Sequence, residues 1–81
     1  MRPVEGFRIK VTADENCSFT LMFEPSGMTY DLGPAEAIFA TLEGAVAEDL
    51  EIVYWQGGIS VWPPGHVMIS DAEGNELHRL P

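Results

Sequence analysis

Apolar and polar side chains alternate without a break from Phe7 to Ala13: Phe7, Ile9, Val11 and Ala13 fall on one side, Arg8, Lys10 and Thr12 on the other. A period of two describes a strand with one buried face, because successive side chains of an extended chain point in opposite directions. The pattern recurs along the chain in short pieces, each cut off by turn residues. Asp14, Glu15 and Asn16 supply the first turn, after which Phe19, Leu21 and Phe23 oppose Ser18, Thr20, Met22 and Glu24. Pro25-Ser26-Gly27 supplies the next, with proline preset for the first corner position, and Met28, Tyr30 and Leu32 alternate beyond it.

The segment 34–48 satisfies two patterns. As a helix it has Pro34 at the first position, Glu36 in the first turn and a stripe of Ile38, Phe39, Leu42, Ala45 and Val46. As a strand it has Ile38, Ala40 and Leu42 alternating with Ala37, Phe39 and Thr41 until Gly44 ends it. Alanine content favours the helix, and the regular turn spacing on either side favours the strand. Further on, Leu50 to Trp55 and Ile59 to Trp62 flank Gln56-Gly57-Gly58, which reads as a three-residue hairpin loop. Val67 to Ser70 and Glu76 to Leu80 flank another turn-rich connection, 71–75. The expected fold is mainly β. It is a single small domain over residues 1–81, an antiparallel sandwich or partly open barrel of six to eight short strands, with one possible short helix at 34–47.

Charge narrows the choice of partner. Thirteen acids against four bases give a formal net charge of -9, and no lysine or arginine occurs between Val11 and His78. Such a surface repels phosphate, so neither direct nucleic-acid binding nor an anionic membrane is expected; a basic protein is the natural counterpart. The apolar runs are too short to span a bilayer or to form the apolar part of a signal peptide, and the single cysteine, Cys17, cannot close an intramolecular disulfide. Both point to the cytoplasm. A domain of this size buries only about 60% of its unfolded surface, so a homodimer or a bound partner would add stability.

The stretch from Val53 to Gly65 sets two tryptophans and a tyrosine around a Gly-Gly pair. If the loop is 56–58, Trp55 lies opposite Ile59. One face of the hairpin is then Val53, Trp55, Ile59 and Val61, and the other is Leu50, Ile52, Tyr54 and Trp62, broken only by Ser60. Both faces are apolar, and a small two-layer domain buries only one face of a sheet without further cover. Tyr54, Trp55 and Trp62 are therefore candidate partner-binding anchors, with Glu48, Asp49 and Glu51 as steering acids. The alternative is that all three aromatics complete the core.

Residues suited to nucleophilic or metal chemistry are few. His66, His78 and Cys17 are far apart in sequence and form no zinc or nucleophile motif, so no catalytic, cofactor-binding or metal-ligating residue is assigned. Cys17 is expected as a small buried residue beside Phe19. The acids from Asp71 to Glu76 lack the frame of a calcium loop and read as a hairpin turn, and Trp62-Pro63-Pro64-Gly65 reads as a turn as well. Glu48, Asp49 and Glu51 read by default as a solvated strand start, since nothing in the sequence marks a pocket around them.

The stretch Tyr30-Asp31-Leu32-Gly33-Pro34-Ala35-Glu36, with short turn-bounded strands around it, resembles a small cupin-type barrel. The histidine pair and glutamate that hold the cupin metal have no match, so the resemblance implies a barrel without that chemistry. The leading expectation is a non-enzymatic acidic interaction domain of the kind found in small bacterial or phage inhibitors, immunity proteins and accessory subunits, occluding a basic partner. The alternative is a cupin-like barrel that binds a small molecule among its aromatics.

Overall fold

The computed structural model describes residues 6–44 and 46–80. Eight strands follow one another: β1 (Gly6–Thr12), β2 (Phe19–Phe23), β3 (Met28–Leu32), β4 (Ala37–Glu43), β5 (Glu51–Trp55), β6 (Gly58–Trp62), β7 (His66–Asp71) and β8 (Glu76–Leu80). They form two four-stranded sheets, the first in the order β1-β4-β7-β8 and the second in the order β3-β2-β6-β5. The fold is mainly β, as the alternating pattern predicts, and of the two expected forms, sandwich and partly open barrel, it is the two-sheet sandwich. One pairing departs from the antiparallel expectation: β2 and β6 run parallel, with Leu21 beside Ile59 and Phe23 beside Val61.

Within the segment 34–47, residues Ala37–Glu43 form a strand. β4 lies between β1 and β7 and pairs with both, so a helix there would leave two ladders without partners. Ile38, Ala40 and Leu42 are buried, while Ala37, Phe39 and Thr41 are half-buried on the other face. Alanine's helix preference yields to this packing. Among the described residues helical structure is confined to one 3-10 turn, Ala47–Asp49. Ala45, part of the expected helical stripe, and Arg2 lie outside the described residues.

The core fills the space between the sheets. Leu21, Phe23 and Val61 from the second sheet meet Ile38, Ala40, Leu42, Val67 and Ile69 from the first, with Phe7, Ile9 and Val11 of β1 packed at the side. The rings of Phe23 and Tyr30 meet edge to face, at 6.1 Å between ring centres. The Tyr30 hydroxyl is buried with no hydrogen-bond partner among the described residues, and burial raises its pKa above the ordinary phenol value.

The β7–β8 turn is organised by one carboxylate. Asp71 Oδ1 accepts from the backbone N–H groups of Glu73 and Asn75, and Oδ2 accepts from the Asn75 side-chain amide at 3.1 Å. This is the turn expected in place of a calcium loop. Its hydrogen bonds, first those from Asn75, hold the Asp71 pKa below the ordinary carboxylate value.

Two outcomes follow. Tyr30→Phe should raise stability in chemical denaturation by about 1 kcal/mol, because it removes an unpaired buried hydroxyl and keeps the ring; a loss of similar size would mean that the hydroxyl has a partner. Asp71→Ala should lower the melting temperature at neutral pH. A carboxylate with a depressed folded-state pKa stabilises above its unfolded value and loses that contribution as pH falls through the folded value. The gap between the variant and the parent should therefore close in acid, which melts taken across pH will show.

A candidate interaction hairpin

The hairpin β5–β6 takes a register one residue away from the expected one. Trp55 pairs with Gly58, Tyr54 with Ile59, Val53 with Ser60, Ile52 with Val61 and Glu51 with Trp62. The loop is thus two residues, Gln56 and Gly57, and Gly57 at φ 90° occupies the position that a type II turn reserves for glycine. Gly58 belongs to the ladder. A Cβ there would run into the Thr20 carbonyl oxygen of β2 and would lie 2.6 Å from the Trp55 ring. The indole lies across the bare glycine and donates from Nε1 to Ser60 Oγ at 2.9 Å, and the Ser60 hydroxyl in turn reaches Met22 Sδ at 4.0 Å.

Residues directly opposite in a ladder share a face, so the two faces of the hairpin differ from those expected. Ile52, Tyr54, Ile59 and Val61 are on the core side, and Glu51, Val53, Trp55, Ser60 and Trp62 are on the outer side. Val61 is fully buried and Ile59 packs on the core. Ile52 and Tyr54 face the same way and yet are 51% and 79% exposed. The edge strand β5 therefore overhangs, with no part of the first sheet beneath its middle.

The six expected site residues fall into three places. Glu48 and Asp49 are exposed on the 3-10 turn, and Glu51 is exposed at the start of β5, so the three acids gather at one end of that strand. Trp62 stands across the ladder from Glu51, 42% exposed. Trp55 is half-buried on the outer face, neither core nor free, while Tyr54 projects from the opposite face. Ile52 and Val53, outside the expected site, are exposed between them. Their position is decided by the overhang, for which a single sequence carries no signal.

Charge is divided between the sheets. Arg8 and Lys10 of β1 both lie over the Phe39 ring on the outside of the first sheet, at 4.5 and 5.6 Å from its centre. Arg79 is on that outer face too, paired with Glu43 and Glu76. The segments 13–36 and 46–65, which build the second sheet and its connections, hold Asp14, Glu15, Glu24, Asp31, Glu36, Glu48, Asp49 and Glu51 and no lysine or arginine.

The residues singled out for chemistry do not converge. His66 pairs with Glu43 at one end of the first sheet, His78 pairs with Ile69 on the opposite face, and Cys17 sits in the β1–β2 turn at the other end. Cys17 is exposed, contrary to the expectation of burial beside Phe19, because it lies in the β1–β2 connection, whose residues 14–18 are all exposed. Among the described residues no group of three or more His, Cys, Asp or Glu is placed to hold a metal ion, and no helix is long and apolar enough to cross a membrane. A cleft of about 500 Å³ between Glu43, His66, Val67, Arg79 and Leu80 is lined by none of the hairpin aromatics.

Gly58→Ala should destabilise the domain by more than about 2 kcal/mol, because the added methyl collides with backbone as well as with a ring. It should also shift tryptophan fluorescence to the red as Trp55 leaves its seat. Ser60→Ala, which removes only the indole's acceptor, should cost about 1 kcal/mol. Equal, small effects of both would show that the indole does not rest on Gly58. Comparison with protein-family models, with curated proteins and with solved structures returns no match.

Proposed function

We propose that this domain is a non-enzymatic interaction module that occludes a basic partner protein, in the manner of an inhibitor, an immunity-type protein or an accessory subunit. The observation that carries the reading is the coincidence of exposed apolar side chains with one-signed charge on a single hairpin. Ile52, Val53, Tyr54 and Trp62 are all more than 40% exposed, beside the acids Glu48, Asp49 and Glu51. Isolated exposed apolar residues are ordinary, but a cluster of them on one strand pair of a small domain is the composition of an interface. The acids supply long-range steering, and the aromatics supply contact area at low entropic cost.

Pairing with another copy is the less favourable use of the same surface. Each copy would bring a net charge of -9, and the half that carries the hairpin contains no lysine or arginine to offset it.

The immobilised domain, exposed to the proteome of the organism that encodes it, should enrich basic proteins. Affinity for the enriched partner should fall about tenfold or more as salt rises toward molar, where screening is nearly complete. Replacing Glu48, Asp49 and Glu51 together by lysine should slow association, whereas Tyr54→Ala or Trp62→Ala should speed dissociation, each by about 2 kcal/mol if the ring is an anchor. Binding indifferent to both salt and charge reversal would remove the basic partner from the reading.

A further inference from the structure

Hydrogen bonds across the second sheet show which groups of β5 are free. Thr20 N donates to Gly57 O and Glu24 N donates to Val61 O, so residues 57, 59 and 61 address β2. Gly58, Ser60 and Trp62 then address β5, where their partners are Trp55, Val53 and Glu51. Ile52 and Tyr54 are left to turn their backbone N–H and C=O groups outward, and among the described residues no strand pairs with that edge. These two residues also have the most exposed apolar side chains of the strand.

The sandwich has four edge strands, and three of them carry the usual protections. β1 alternates Arg8 and Lys10 through its middle, and β8 has an irregularity in its pairing together with Glu76 and Arg79. β3 keeps Tyr30 and Leu32 turned inward and shows Thr29 and Asp31 outside. β5 has no charge from Ile52 to Trp55. An edge with free backbone groups and exposed apolar side chains, its charge confined to the first residue, Glu51, is a template for one more strand.

We propose that β5 takes up an extended segment of a basic partner as a fifth strand of the second sheet. The inference rests on the reading of this domain as a module for a basic protein, and it specifies how that protein is held. Alternate side chains of the added strand stack beside Ile52 and Tyr54 under the overhang, so that side of the segment is apolar. The other alternate set carries lysine or arginine toward Glu51, Glu48 and Asp49. Charge selects this occupant over a second copy: two copies joined edge to edge at β5 would abut two halves rich in carboxylate and without a single lysine or arginine in 46–65.

The test uses a short acetylated and amidated peptide of alternating valine and lysine, titrated into the whole domain at low salt and followed by amide exchange in NMR. At saturation the Ile52 and Tyr54 amides should exchange about tenfold slower or more, while the Val53 amide, already bonded to β6, changes little. Methylating the peptide's backbone nitrogens on one alternate set should abolish binding, and methylating the other set should leave it within about threefold. Binding without protection of Ile52 and Tyr54, or equal tolerance of both methylated sets, would overturn strand addition and leave the basic-partner reading standing. No binding even at about millimolar peptide, or equal binding of a valine–glutamate peptide, would overturn the proposal, and in the second case the electrostatic reading beneath it also. Protection of the same two amides that grows with protein concentration in the absence of peptide would assign the edge to a second copy and overturn it.

Discussion

The arrangement of the second sheet depends on a position where no side chain fits. At residue 58 the chain passes so close to the Thr20 carbonyl, and lies so directly under the Trp55 ring, that only glycine can stand in the ladder. That fixes Trp55 opposite Gly58, and in a strand pair the register decides the direction of every other side chain. A slip of one residue would turn Tyr54 and Ile52 outward and send Val53 and Trp55 toward the core. The glycine also frees the space that the indole occupies, and the indole in turn satisfies Ser60, a buried hydroxyl in the middle of the sheet.

The first sheet was almost fully legible. β1 and β4 alternate cleanly, and the buried set Ile38, Ala40 and Leu42 was one of two readings of β4; what decided between them was the presence of β1 and β7 on either side, a non-local fact. The second sheet was legible as strands but not as a hairpin. Gly57-Gly58 offers two glycines to one loop, and the sequence does not say which of them is in the turn and which supports a ring. Tyr54 was correctly grouped with Ile52, yet Trp62 was placed on their face and belongs to the other. The acids Glu48, Asp49 and Glu51 do gather, because one turn of 3-10 helix leads straight into β5. Cys17 illustrates a different failure: residue type suggested burial, and its place in an exposed turn decided otherwise.

Sidedness is the property of the molecule that composition conceals. A net charge taken over the whole chain suggests a uniformly acidic body, but Arg8 and Lys10 are held over Phe39 on the outside of the first sheet, away from the hairpin. Stacking on the ring gives these cations a position without requiring a carboxylate beside them. The second sheet is thereby left without internal compensation, and its field extends outward from the same side as the exposed edge.

The parallel seam between β2 and β6 has a kinetic consequence. Met22 and Ser60 face each other across it although 38 residues apart in the chain, and between them the backbone crosses to the first sheet to lay down β4 and returns. The two hairpins β2–β3 and β5–β6 can each close early, since their partners are local, but their union has to await that excursion. During the interval the β5–β6 hairpin has two open edges rather than one, and both are apolar. The acids Glu48, Asp49 and Glu51 stand at its base, where like charges oppose the approach of two such hairpins before the seam is made.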